Sequence, residues 1–289
     1  MKALRVINPG PQSLIEDLGR YGFTSLGVGR SGAMDRAAFA LANRLVGNPK
    51  DSAVIEILLG GAEFEAQSDL WIAVTGAWGV LQAANRPAEP NCAIRLESGD
   101  KLSIPFAEHG IRYYLAVRGG IEIPETLGSR STDTLADLGP QPLRVADELS
   151  SGISSIDPIP VVDVMPVRLP PQDAIELEIR PGPRRGWFGP ESWSRLFSTN
   201  WIVSPRSDRR GIRLEGAALS RVKQEELLSE GAIPGAIQVS PDGVPTILGV
   251  DHPVTGGYPV IAVVTDDTVD RLAQARPGQQ LRLVLATGR

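Results

Sequence analysis

Short runs in which apolar and polar positions alternate dominate this chain, the two-residue period of strands with one face buried. ALRVI (3–7) predicts a first strand, ended by the Asn8-Pro9-Gly10 turn. AVIEILLG (53–60), LWIAVTGA (70–77), VLQAA (80–84), AIRLES (93–98), KLSIP (101–105) and RYYLAVRGG (112–120) read as further strands bounded by Gly, Pro or Asn. Turn signals recur at the spacing of a barrel or sandwich. The glycine-rich stretch 11–32 reads as an extended loop.

One segment switches to helical spacing. Across 32–46, Ala37, Ala38, Leu41, Leu45 and Val46 form an apolar stripe, with Ser31 placed to cap its start and Gly47-Asn48-Pro49 to stop it. The second half repeats the strand pattern. AIELEIRPGP (174–183) opens it, PESWSRLFS (190–198) is a short helix with Trp193, Leu196 and Phe197 on one face, and 201–216 reads as strand, loop, strand. Residues 221–230 are a short polar segment, and 235–250 a hairpin turning at Pro241-Asp242-Gly243. PVIAVVT (259–265) is a buried strand, 266–278 a short helix capped by Asp266 or Asp267, and QLRLVLA (280–286) the last strand. The expected organisation is a β-rich domain over 1–150, a Ser/Pro-rich linker over 151–172 and a β-barrel domain over 173–289. LESGDKLSI (96–104) and ARPGQQLRL (275–283) echo each other, a hint of duplication.

Composition agrees with many turns, since Gly (31) and Pro (24) are in excess and no collagen period is present. Net charge is −5 and no basic stripe occurs, which argues against nucleic acid. The single cysteine, Cys92, excludes an internal disulfide framework and suggests a cytoplasmic protein. The N-terminal residues lack the apolar core of a signal peptide, and no membrane span is expected. One Cys with His109 and His252 cannot build a zinc site of the usual type, so no metal is expected. P-loop, dinucleotide fingerprint, Gly-x-Ser-x-Gly elbow and biotin-accepting Met-Lys-Met are all missing.

Three polar, glycine-bearing loops carry candidate chemistry. GSRSTDT (128–134) combines backbone and hydroxyl donors with the Arg130 fork, a combination that suits a carboxylate or serves simply as a hydrogen-bonded turn. SPRSDRRGIRLEG (204–216) crowds arginines around Ser207-Asp208, with Glu215 nearby, as an internal ion-pair network or a substrate or subunit contact. DHPVTGGYPV (251–260) offers Asp251 as a base, His252, a flexible Gly256-Gly257 pair, and Tyr258 held extended by Pro259. Asp251 and His252 are adjacent and would point to opposite faces of a strand, which argues against a Ser-His-Asp triad. In the opening loop, Asp17 is expected to pair with Arg20 around Gly19.

These stretches together resemble one family. GPQSLIEDLGRYGFTSLGVGRSGAMDRAAFALANRLVGN, YLAVRGGI, LGSRST, SDRRGIRLEG, GAIQVSPDGVP and DHPVTGGYPVIAVV are similar, in order, to motifs of the biotin-dependent carboxyltransferase family, also called allophanate hydrolase subunit 2. Glu16, Arg210, Val254 and Ala146 depart from its usual Gln, Met, Thr and Gly. The resemblance implies a mainly β fold with cyclophilin-like barrels and a few short helices. It implies a heteromer with more than one copy each of this chain and of a B-type sister, an allophanate hydrolase subunit 1-like protein. With an A-type lactam-utilisation protein, the assembly would open 5-oxo-L-proline to L-glutamate using ATP. No biotin would be attached to this chain. Two alternatives follow from the same family: a carboxyltransferase component of a biotin-dependent urea or amide carboxylase, and a regulatory partner that antagonises a kinase-inhibitor subunit. On this reading Asp251, Tyr258 and His252 are catalytic, and Arg130, Ser131, Thr132, Gly256, Gly257, Arg209 and Gln238 bind substrate.

Overall fold

The computed structural model describes residues 1–154, 158–159 and 167–287. The predicted linker over 151–172 therefore lies partly outside the described residues. The chain divides into two compact units: Met1–Arg20, Ser31–Asp133 and Asp137–Pro170 form one, and Tyr21–Arg30, Thr134–Ala136 and Pro171–Arg289 the other.

The first unit holds a seven-stranded sheet, in the order Ile121–Glu122, Glu148–Ser151, Lys2–Pro9, Ala62–Ala66, Lys101–Ile104, Leu81–Ala83, Arg86–Ala88. Its second sheet has five strands, in the order Gln12–Glu16, Val54–Leu58, His109–Val117, Leu70–Trp78, Ala93–Leu96. Leu4, Val6, Phe64 and Leu102 of one sheet share a core with Ile55, Ile57, Ile72, Val74 and Leu115 of the other. The five-stranded sheet is buried on its other face too, where Val54, Ala73, Tyr114 and Ala116 meet the helix Arg36–Leu45 through Ala38, Phe39, Ala42 and Leu45. Burial on both faces explains why its strands read as continuous apolar runs.

Several strands escape the sequence pattern, among them two early in the chain. Gln12–Glu16 lies inside the stretch expected to be a loop; Ser13, Leu14, Ile15 and Glu16 are all buried, so polarity gives no alternation there. Ala62–Ala66 does alternate, with Phe64 inward and both glutamates outward, but is short and follows Gly60-Gly61. The helix starts later than expected, at Arg36. Its cap is Asp35, whose carboxylate accepts from the Ala38 N–H, and not Ser31, which adopts φ +56° and donates its hydroxyl to the Thr132 carbonyl. Ala146 adopts φ +73°, a left-handed conformation costing a residue with a Cβ about 1 kcal/mol.

The second unit is a closed barrel, in the order Ile175–Pro181, Val260–Val264, Ala236–Val239, Pro245–Leu248, Gly211–Glu215, Trp201–Val203, Gln280–Leu285. A parallel pairing of the first and last of these strands closes it. Burial alternates along Ile175–Pro181, with Ile175, Leu177 and Ile179 inside and Glu176 and Glu178 outside. Helix Pro190–Ser198 stands where expected, with proline in the first turn, where its missing N–H is harmless. The segment after 265 is one α-turn, Asp266–Val269, continued as 3-10 helix over Asp270–Gln274. Thr265 holds its N-cap position, while the expected caps Asp266 and Asp267 sit in the first turn. The echo between the two halves is local: Gly99 and Gly278 both turn at positive φ ahead of a strand, in units of different sheet topology. Among the described residues no helix is long and apolar enough to cross a membrane.

Candidate functional site

Both units build buried, well-bonded carboxylates, and the second also has an open cavity. In the first unit, loop 128–134 does bind a carboxylate, but it is the protein's own. The Asp17 Oδ1 accepts from Ser129 Oγ at 2.6 Å, Ser131 Oγ at 2.6 Å and the Gly19 N–H at 2.7 Å. The Arg130 N–H donates to Oδ2 at 2.6 Å. Asp17, Ser129 and Ser131 are buried, so these donors have no capacity left for a ligand. The Arg130 side chain turns away, donating to Glu125 at 2.7 Å, Glu122 at 3.1 Å and the Ile123 carbonyl at 3.0 Å. Thr132 is spent too, its hydroxyl on the Pro140 carbonyl at 3.0 Å. The expected substrate-carboxylate site at Arg130, Ser131 and Thr132 is thus a closed internal clamp.

Arg20 does not pair with Asp17. Its buried guanidinium donates to the Ser131 carbonyl and lies 3.9 Å from Asp133. The close approach depends on Gly139, where a Cβ would stand 2.2 Å from the Ser131 oxygen. A third buried carboxylate, Glu56, fixes the start of the helix. It accepts from Tyr114 Oη at 2.8 Å and the Met34 N–H at 3.0 Å, and pairs with Arg112 at 3.3 Å. Burial, reinforced by Glu56 and Asp35, holds the Tyr114 phenol well above its ordinary pKa.

In the second unit, Asp251 is buried and forms a two-pronged pair with Arg209, Nε to Oδ2 at 2.9 Å and Nη2 to Oδ1 at 3.1 Å. Thr134 adds its hydroxyl at 2.7 Å and its N–H at 3.1 Å. Arg210 donates to the Thr134 carbonyl at 2.7 Å. The expected ion-pair network around the 204–216 arginines therefore exists with other partners. Asp208 instead accepts from the N–H groups of Arg210 and Gly211, and Glu215 accepts from Ser204. Asp251 is thus held by a guanidinium fork and by both donors of Thr134. His252 is also buried, its Nδ1 2.7 Å from the Pro253 carbonyl.

Gly257 and Tyr258 belong to a different place. They line a cavity of about 690 Å³, with Arg221, Gln224, Glu225 and Asp242 among its other walls. Asp251, His252, Arg209 and Gln238 are not part of its lining. Tyr258 is 47% exposed, its ring at the rim. The polar segment 221–230 supplies much of the wall, and only its polarity marked it in the sequence. It is pinned by a short ribbon pairing Glu230–Gly231 with Thr255–Gly256, and by the Arg184–Glu230 ion pair, which holds the Glu230 carboxyl below its usual range. A hydrogen bond from Ser240 likewise lowers the Asp242 pKa. Gln238 lies on the barrel strand Ala236–Val239, against Gly256. Among the described residues no group of three or more His, Cys, Asp or Glu is poised to hold a metal.

Comparison with known proteins places this architecture. The carboxyltransferase domain, subdomain A and B, matches residues 26–285. The C subunit of the 5-oxoprolinase of Escherichia coli is 34% identical over 97% of this chain and 90% of its own length. The urea amidolyase of Lachancea kluyveri is 33% identical over 98% of this chain, which spans 17% of that much longer protein. The solved structure of TTHA0988 superposes with a TM-score of 0.89 at 34% identity, covering 98% of this chain and 56% of that one. The chain belongs to the carboxyltransferase-domain family, subdomains A and B.

Proposed function

We propose that this chain is the C-type member of a heteromeric, ATP-dependent 5-oxoprolinase that opens 5-oxo-L-proline to L-glutamate, acting with A-type and B-type sister subunits. The observation that carries this reading is the likeness to two 5-oxoprolinase C subunits, 34% identical across 90% of the Escherichia coli one and 32% identical across 89% of the Haemophilus influenzae one. Opening a lactam is amide cleavage, which needs donors for a developing oxyanion and a group to move a proton. Tyr258, at the rim of the open cavity with Gly257 beside it, is the group this chain offers for proton transfer. The buried Asp251 and Asp17 hold loops in place. The same cavity presents Glu225, Glu226 and Asp242 against the single cation Arg221, a lining that does not suit a triphosphate. This reading therefore puts ATP on another subunit.

A second reading has its own support, since the matching domain is named for carboxyl transfer and the urea amidolyase relative aligns across nearly the whole chain. Coexpression with A-type and B-type subunits, followed by assay of glutamate and ADP from 5-oxoproline and ATP, separates the two. Glutamate formation that disappears when this chain is omitted is the expected result. A well-formed complex that makes no glutamate transfers the assignment to carboxyl transfer.

A further inference from the structure

The two walls of the Tyr258 cavity are built differently. One is the hairpin turn 241–243, where the Gly243 N–H donates to the Ser240 carbonyl at 2.9 Å and the Leu219 N–H to the Gly243 carbonyl at 3.0 Å. The other is the segment 222–229, which contributes Gln224, Glu225, Glu226, Leu227 and Ser229. Among the described residues, 223–229 make one hydrogen bond, a local one from Gln224 Nε2 to the Arg221 carbonyl at 3.2 Å. Their other backbone groups are left to water, so displacing the segment breaks almost nothing within it. It is fastened at its two ends, and to the same short stretch of chain. At its start, the Val222 N–H donates to the Trp187 carbonyl at 2.9 Å, and Arg221 bridges to Phe188. At its end, the Glu230 carboxylate accepts two hydrogen bonds from Arg184, Nε to Oε2 at 3.0 Å and Nη2 to Oε1. Arg184 is fixed to the barrel, its N–H donating to the Val260 carbonyl at 3.0 Å. The two side chains of this pair are 36% and 33% exposed, so water and salt weaken it. The ribbon beyond it is only two residues long on each strand. Between the fastenings, Leu228 is 87% exposed and Val222 64%. At the first fastening, the buried Nε of Arg221 has no acceptor among the described residues, which disfavours the arrangement that holds it there.

We infer that residues 222–229 form a lid over the Tyr258 cavity and that the Arg184–Glu230 ion pair is its latch. Latched, the segment stands as a wall and leaves the cavity open at the Tyr258 rim. Released at Glu230, it swings about the hydrogen bond between Val222 and Trp187. Burial of Leu228 over an occupied cavity then drives closure, and the hairpin turn opposite stays in place. Arg184 and Glu230 are positioning residues on this account, since neither lines the cavity.

The first test uses the full chain alone and a lysine-specific protease. The chain's lysines are Lys2, Lys50, Lys101 and Lys223, and of these only Lys223 lies on the lid. The rate of cutting there follows the population of the released segment. Glu230→Gln keeps the shape and loses the charge, and should speed the cut after Lys223 about fivefold, the value of one exposed ion pair. High salt should speed the wild-type cut relative to that at Lys50 and leave this ratio unchanged in the variant. The exchanged pair, Arg184→Glu with Glu230→Arg, should return the rate toward wild type. An unchanged rate in Glu230→Gln overturns the inference. So does an equal rise at the exposed Lys50 of the first unit, which would mean general loosening. In the reconstituted complex, where the test rests on the oxoprolinase reading, Glu230→Gln should raise the KM for 5-oxoproline about fivefold with a smaller change in kcat, and the exchanged pair should restore it. A KM that Glu230→Gln leaves unchanged, in a complex that turns over, also overturns the lid. If the complex with wild-type chain forms no glutamate, the oxoprolinase reading fails, and the proteolysis still decides the latch.

Discussion

Asp17 and Asp251 are both buried aspartates with every oxygen engaged, yet they are stabilised by different physics. Asp17 is surrounded by neutral donors, two serine hydroxyls and two backbone N–H groups. Asp251 faces a buried guanidinium, with a threonine in support. A neutral cage spreads one charge over several dipoles, and loss of one donor leaves the others. A charged pair concentrates the interaction, and loss of one partner strands a bare ion in the interior. Around both, function-like residue types have been spent on architecture. Neither aspartate lines the open cavity, whose rim carries Tyr258.

The largest effect should come from breaking the charged pair. Arg209→Ala leaves Asp251 buried without its cation and should lower unfolding free energy by about 3–5 kcal/mol. Denaturant titration of the full chain measures it, and a loss no larger than that of an exposed pair would erase the contrast between the two aspartates. Asp17→Asn comes next. Whichever oxygen becomes NH2 will face an existing donor, so a loss of about 1–3 kcal/mol is expected by the same titration.

Glu56 sharpens the comparison, because it combines a neutral phenol with an arginine. The folded pKa of Tyr114 is raised, so its stabilising contribution is complete below the unfolded tyrosine pKa of about 10 and is lost as pH rises beyond it. Tyr114→Phe should flatten the alkaline limb of a stability-against-pH curve while costing about 1–2 kcal/mol at neutral pH. A wild-type curve with no alkaline limb above that of the variant would contradict this. The smallest effect should be Arg130→Ala. Its pairs with Glu122 and Glu125 are partly exposed, with the glutamates about half open, and the thermal midpoint should fall by no more than about 1 kcal/mol equivalent.

Much of the fold is legible in the sequence because its information is periodic. The short helices and most barrel strands announce themselves through alternation, glycine turns and the proline of Pro190–Ser198. Gln12–Glu16 does not, since a strand buried on both faces in a polar local sequence has no period to detect. The sites were harder for a related reason. Loop 128–134 was recognisable as a carboxylate cradle, and that chemistry is present, but sequence cannot show that Asp17, more than a hundred residues earlier, already fills it. Likewise, residue type marked Asp251 as a base, while its pairing with Arg209 and Thr134 is a long-range fact. Nothing in the composition of residues 221–230 says that they wall a cavity.

The central claim is that the buried carboxylates hold the frame while the open rim does the chemistry. Tyr258→Phe in the coexpressed three-component complex tests it most directly, with glutamate production and thermal midpoint measured together. The account predicts a fall in kcat of about a hundredfold or more at an unchanged midpoint, as expected when a proton-transfer group is removed from an exposed position. Turnover equal to that of the wild-type complex would contradict it.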